Sequence, residues 1–218
     1  SDLMIKLALF DFDGTIIDSA EGIVDSVLYA LSKIGIVETD REKLLSFIGP
    51  PLFKSFKKHY NADDDTAHRL VALYREFYAP TGYKRCSVYD GIPELLAKYK
   101  DKGIINAVAS AKPEIYVKEI IKEKGLDRLF DIAKGISLKY TSSDKIPVLQ
   151  AAIDESGITD KDEIIMIGDR KFDIEAARKL GIKSIGVTYG FGTRDELEEA
   201  KADIIVDTVE ELSGLKLC

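Results

Sequence analysis

An apolar run that stops on two aspartates constrains this chain more than any other stretch. Residues 4–10, M-I-K-L-A-L-F, are mostly apolar without clean alternation, the pattern of a strand covered on both faces. D-F-D-G-T follows at residues 11–15. Burying Asp11 and Asp13 unpaired would be costly. Both are therefore expected at the carboxyl end of the strand, where open α/β sheets bind ligands. Gly14 permits a sharp backbone turn there and is expected to leave its N–H open to an anion.

Two kinds of periodicity follow. Between about residues 20 and 83 the pattern is helical only. Ile23, Val24, Val27, Leu28, Leu31 and Ile34 share one helix face, with Asp18 or Ser19 as the cap and Gly35 as the stop. A second helix is expected over 40–48, broken by Gly49, Pro50 and Pro51. Leu52, Phe53, Phe56 and Tyr60 indicate a third, and Asp63, Asp64 and Asp65 start a fourth with Leu70, Leu73, Tyr74 and Phe77 facing inward. From Gly91 onward helices alternate with strands at 104–109, 130–136, 163–167, 184–187 and 204–206. Such alternation implies a doubly wound parallel α/β sheet, Rossmann-like, covered on both faces and joined by right-handed crossovers. The expectation is an α/β core of residues 1–18 and 85–218, interrupted by a four-helix domain at 19–84. Its hinges fall near Ser19 and residues 84–90.

The formal charge of −7 argues against a nucleic-acid-binding surface. Cys86 and Cys218 are the only cysteines, so neither a disulfide framework nor a cysteine metal site is expected. No apolar run approaches membrane-spanning length, and S-D-L-M leads straight into the first strand, leaving no room for a signal peptide. These features predict a protein of the reducing cytoplasm with no membrane partner. They leave the oligomeric state open.

Polar residues stand at four strand ends: Asp11 and Asp13, then Ser110, then Lys145, then Asp169 and Asp173. In a parallel sheet these ends face one side, so residues far apart in the chain converge on one crevice. Viewed singly, Lys145 reads as a solvated lysine, Ser110 as a helix cap before Pro113, and Asp173 as a surface residue. Their common placement at strand ends counts against that reading, and together with the resemblance described next it reverses it.

D-F-D-G-T followed by I-I-D-S resembles the first motif of the haloacid dehalogenase-like phosphohydrolase superfamily. V-A-S-A-K-P at 108–113 resembles the second motif, Lys145 in S-S-D-K-I-P the third, and I-G-D-R-K-F-D at 167–173 the fourth. S-I-G-V-T-Y-G-F-G-T-R-D-E-L at 184–197 is similar to a segment of the phosphoglycolate phosphatase-like branch. One departure is Ala111, where relatives often carry Asn or Ser; its backbone N–H can still serve a phosphate. The superfamily commonly inserts a four-helix cap where this chain has its helical segment.

The resemblance implies a Mg²⁺-dependent phosphatase for small phosphorylated metabolites, acting through an aspartyl-phosphate. Asp11 is then the nucleophile, and Asp13 the general acid and base. Mg²⁺ takes the carboxylates of Asp11 and Asp169 and the carbonyl of Asp13, with Asp173 supporting a bound water or Lys145. Lys145 neutralises charge, while Ser110, Ala111 and Gly14 bind the phosphate. Phosphoglycolate is the implied substrate. Nucleoside 5′-monophosphates and pyrophosphate are alternatives on the same core. A phosphomutase and a phosphorylated signalling module are further ones. Phe53–Tyr60 mixes basic and aromatic residues, which reads chiefly as a helix with one solvated and one packed face. The functional alternative has Lys54 or the turn at 49–52 reach the leaving group.

Overall fold

A computed structural model describes residues 3–139 and 144–218. Ser142 and Ser143 of the third motif lie outside the described residues.

β1 (Leu7–Phe10) is completely buried and lies at the centre of a six-stranded sheet. Its neighbours are β4 (Ile105–Pro113) on one side and β6 (Ile164–Gly168) on the other, both parallel to it. β5 (Ile132–Ile136) flanks β4, while β7 (Lys183–Val187) and β8 (Ile204–Val206) extend the β6 side, giving the order β5-β4-β1-β6-β7-β8. All the pairings are parallel.

The missing alternation in β1 has a direct cause. Ala8 and Phe10 pack against α5 (Ile92–Asp101) and α6 (Glu114–Glu123), whereas Leu7 and Leu9 pack against α7 (Lys145–Ser156) and α8 (Lys171–Leu180). Both pleat faces are covered, so both carry apolar side chains. Two short helices, α9 (Arg194–Glu199) and α10 (Val209–Gly214), complete this layer structure. The strand order reverses on either side of β1, so the crevice at its carboxyl end is a topological switch point.

The helical segment forms a third hydrophobic cluster of its own. It contains α1 (Ala20–Lys33), α2 (Arg41–Leu45), α3 (Leu52–Tyr60) and α4 (Asp64–Tyr78). Asp40 and Asp63 cap α2 and α4 by accepting from the backbone N–H of Lys43 and Thr66. For α1, Asp18 rather than Ser19 accepts from the Ala20 N–H, and the buried Ser19 hydroxyl has no partner among the described residues. Phe47 and Phe56 pack in the cluster with ring centroids 5.0 Å apart and planes tilted by 60°.

Three details differ from expectation. β1 begins at Leu7, not at residue 4: the Ile5 N–H donates to the Leu217 carbonyl near the carboxyl terminus and not to a neighbouring strand. β4 runs beyond residue 109 to Pro113, with a register irregularity between Ala109 and Pro113, so the strand end on which Ser110 is expected is longer and distorted. The two chain crossings pair with each other: β2 (Ile17–Asp18) and β3 (Ser87–Val88) form an antiparallel ribbon. Two-residue strands are too short to carry a periodic signal. Among the described residues no helix is long and apolar enough to cross a membrane.

Candidate functional site

The carboxyl ends of β1, β4 and β6 and the first turns of α7 and α8 converge at the switch point. Asp11 follows β1 directly, and its Oδ1 accepts from the Phe12 N–H at 2.8 Å. Its Oδ2 lies 3.1 Å from the Lys145 ammonium, which also bonds Asp173. Lys145 opens α7, held there by Asp144 capping at Ile146 N, so a helix start directs its side chain under the sheet end. Asp173 is fixed a second time by the Arg170 N–H at 3.1 Å.

Asp169 follows β6 and is fully buried. It accepts from the Thr15 hydroxyl at 3.2 Å and from the Phe191 N–H at 2.9 Å. The glycines around it are steric requirements. Gly14 has φ +85°, and a Cβ there would stand 2.1 Å from Asp169 Oδ2. A Cβ at Gly192 would lie 2.0 Å from the Asp169 carbonyl oxygen. Tyr189 closes the turn by donating to the Thr15 carbonyl at 2.7 Å.

One expectation needs correcting. The Gly14 N–H is not open to an anion: it donates to the Ile17 carbonyl at 2.8 Å within the turn that starts the β2 ribbon. Gly14 serves the site by letting the backbone pass Asp169. Ser110 and Ala111 do face the crevice. Ser110 Oγ accepts from the Lys112 N–H at 3.1 Å, which leaves its own proton available for donation.

Asp11, Asp169 and Asp173 each bring a carboxylate oxygen within 4.8 Å of the others. Burial pushes Asp169 well above the usual carboxylate range, and the charges of Asp11 and Asp173 add to that. Burial and Asp11 push Asp173 up to about 7 against the opposing pull of Lys145. Burial alone would lower the Lys145 pKa, but Asp11 and Asp173 outweigh it and hold the ammonium charged above the ordinary lysine value. Three buried carboxyl groups share one ammonium, and the raised pKa values of Asp169 and Asp173 reflect how costly it is to ionise all three there together. A hard divalent cation with oxygen ligands fits this donor set. The Asp13 carboxylate is not part of the trio, which suits a residue offering only its carbonyl to a metal.

Asp13 points into the pocket, and its carboxylate takes the Lys112 ammonium at 3.1 and 3.3 Å. Lys112 is 8% exposed, and its ammonium lies 4.6 Å from the Tyr78 ring centroid on α4. Lys112 is absent from the sequence-derived candidates, although it stands in the same S-A-K-P stretch as Ser110. A lysine two residues past a strand-end serine carries no periodic signal, and only the fold brings it to Asp13.

The opposite wall comes from the helical segment. Phe53, Tyr74, Arg75 and Tyr78 line the pocket together with the turn at 49–52 and Tyr116 of α6. Lys54 is exposed and does not line it. Tyr78 contacts Tyr116 edge-on at 4.9 Å and Tyr74 face-on at 5.2 Å. The turn is tied to the sheet by Arg170, which follows Asp169 in the chain. Its guanidinium bonds both Glu196 carboxylate oxygens, at 2.9 and 3.2 Å, and donates to the Ile48 carbonyl at 2.6 Å. Gly49, at φ +116°, lies flat against it. His59 and His68 are engaged with Ser46 and Phe53 and take no part in the pocket.

The chain is similar to known proteins over most of its length. The chain is 41% identical over 189 residues to a protein of Pseudomonas aeruginosa named 5'-nucleotidase, covering 87% of this chain and 85% of that one. It is 27% identical over 217 residues to a phosphoglycolate phosphatase of Vibrio parahaemolyticus, covering 95% and 94%. A crystal structure of a "predicted phosphatase" from Clostridium acetobutylicum superposes with a TM-score of 0.92 at 43% identity, over 96% of this chain and 97% of that one. The family model described as haloacid dehalogenase-like hydrolase matches residues 8–187, and the chain belongs to that family.

Proposed function

We propose that this chain is a Mg²⁺-dependent phosphatase that hydrolyses nucleoside 5′-monophosphates through an aspartyl-phosphate on Asp11. That it is a phosphatase, an enzyme hydrolysing phosphoric monoesters, follows from its family and relatives. The observation that carries the choice of substrate is the wall facing Asp11 and Asp13. Half-buried Phe53 and Tyr116 offer aromatic surface to the leaving group, with the buried rings of Tyr74 and Tyr78 packed behind them. A nucleoside has a flat ring to place there. The Pseudomonas aeruginosa 5'-nucleotidase supports the same choice. Phosphoglycolate is the second reading, favoured by the Vibrio parahaemolyticus relative, but its small anionic leaving group has no ring to set against such a wall.

In this reading an Asp11 carboxylate oxygen attacks phosphorus in line, and the bond from phosphorus to the 5′ oxygen breaks. Asp13, which has to enter this step protonated and released from the Lys112 ammonium, delivers its proton to that oxygen, and the nucleoside leaves. Asp13 then takes a proton from water as the water oxygen attacks phosphorus, returning Asp11 as a carboxylate and releasing phosphate. Lys145 holds Asp11 and offsets the phosphate charge. The Ser110 hydroxyl and the Ala111 N–H donate to phosphate oxygens. The carboxylates of Asp11 and Asp169 and the Asp13 carbonyl would hold Mg²⁺, with Asp173 bracing Lys145. The ion supplies charge neutralisation between the aspartates and the phosphate dianion.

Phosphate release from a panel of 5′-mononucleotides, phosphoglycolate, pyrophosphate and hexose phosphates, with Mg²⁺ and with EDTA, tests the reading. Metal-dependent turnover led by mononucleotides supports it. A preference for phosphoglycolate moves the assignment to the second reading, and turnover indifferent to EDTA removes the metal.

A further inference from the structure

We infer that Arg75 reads the base of the leaving nucleoside and makes the enzyme prefer oxo bases (guanine, hypoxanthine, uracil) over the amino bases adenine and cytosine. The inference rests on the nucleotide reading above and names the substrate class within it.

Three cationic side chains line the pocket: Lys145, Lys112 and Arg75. Lys145 is engaged by Asp11 and Asp173. Lys112 is engaged by Asp13 and by the face of Tyr78. Asp11 and Asp13 are the carboxylates among the lining residues, and both are taken. Arg75 is half-buried and has no hydrogen-bond or ion-pair partner for its guanidinium among the described residues. A partly desolvated guanidinium that keeps its charge and five N–H donors gains most from acceptors brought by a ligand.

The position of Arg75 along α4 says which part of the ligand it meets. Val71, Arg75 and Tyr78 lie on one face of the helix, and all three line the pocket. Tyr78 marks the phosphate end, because its ring covers the ammonium that holds Asp13. Arg75 is about one helical turn from it, alongside the leaving group and not the phosphate. The charge of Arg75 also acts on the Tyr116 phenol, one of the aromatic groups of the wall. A guanidinium fork beside aromatic surface is the arrangement that holds a planar ring by its edge.

The edge chemistry then selects the base. Guanine and hypoxanthine present O6 and N7 as adjacent acceptors that match the fork. Adenine places an N6 amino donor where O6 would be, directing N–H toward N–H. Uracil O4 and cytosine N4 differ in the same way. A site built to donate rejects a ligand that offers a donor, because both groups are left unpaired.

The test is kcat/KM for GMP, IMP, UMP, AMP, CMP and phosphoglycolate with the wild-type chain, Arg75→Gln and Arg75→Lys. For wild type, GMP and IMP are expected to exceed AMP, and UMP to exceed CMP, by about tenfold or more. Arg75→Gln should shift the GMP/AMP ratio toward AMP, since a carboxamide can pair with adenine N6 and N7. Arg75→Lys, which keeps the charge and loses the fork, should narrow the ratio without inverting it. Mononucleotide hydrolysis with equal rates for oxo and amino bases, or a ratio unmoved in both variants, overturns the role of Arg75 and leaves the nucleotide reading intact. Turnover of phosphoglycolate with no mononucleotide hydrolysed overturns both.

Discussion

The two ends of the pocket are built on opposite principles. At the phosphate end the charged groups are held by several partners each: Lys145 by Asp11 and Asp173, Asp173 again by a backbone N–H, Asp169 by the Thr15 hydroxyl and the Phe191 N–H. These residues stand on strand ends and first helical turns of a rigid sheet. At the leaving-group end the walls are aromatic rings, a proline-containing turn and an arginine without a partner among the described residues. Apart from Tyr116 of α6, they stand on a helical segment with a hydrophobic cluster of its own. In the proposed reaction the first end is set before any ligand arrives, which is how electrostatic catalysis avoids reorganisation at the moment of reaction. The second can be changed without touching the chemistry, and so it is where members of one family can differ in substrate.

The contrast can be broken most severely at Asp11. Asp11→Asn should lower kcat by roughly 10⁴-fold or more for every substrate alike, because it removes the nucleophile. A loss confined to some substrates would place Asp11 at the wrong end. Asp13→Ala should cost about 10²- to 10⁴-fold, and less for esters with a good leaving group than for nucleotides, since protonation then matters less. Equal losses for both would argue against an acid role.

Arg170→Ala sharpens the contrast from the other side. It removes the bond to the Ile48 carbonyl that ties the turn at 49–52 to the sheet. The expected effect is a rise in KM of about tenfold, the equivalent of one charge-assisted hydrogen bond, with a smaller change in kcat. An equal fall in kcat at unchanged KM would show that the turn has no part in holding the leaving group.

The phosphate end should also carry a stability cost that the other end does not. Asp169 is buried among like charges, so Asp169→Asn should raise the melting temperature of the metal-free protein while abolishing turnover. Mg²⁺ at about a hundred times its dissociation constant should stabilise the wild type by about 2.7 kcal/mol and the variant by much less. Equal stabilisation of both, read by thermal unfolding, would place the ion elsewhere.

The same contrast explains what was legible in the sequence. The aspartates, Ser110 and Lys145 could be grouped because strand ends in a parallel sheet share one side, an inference that needs only the order of elements. The apolar continuity of β1 announced a strand buried on both faces. Helix starts and stops were readable from Asp63, which caps the start of α4, and Gly35, where the backbone leaves α1. Lys112 was not readable, because its contact with Asp13 spans two elements and follows a strand irregularity at residues 109–113. The Gly14 N–H was misread because its partner, Ile17, belongs to a two-residue strand with no periodic signature. Arg75 and Tyr78 read as ordinary helix positions. Which side of an inserted helix meets the sheet is decided by packing between the two units and not by the helix's own pattern.

The most direct test of the account is to trap the covalent intermediate. Wild-type protein mixed with a radiolabelled mononucleotide and Mg²⁺, quenched in acid within a single turnover and digested, should carry label on the peptide containing Asp11. The label should be released by hydroxylamine, as expected of an acyl phosphate. Turnover with no protein-bound label at any quench time, or label on a peptide without Asp11, would contradict the assignment of the nucleophile and the two-step reaction built on it.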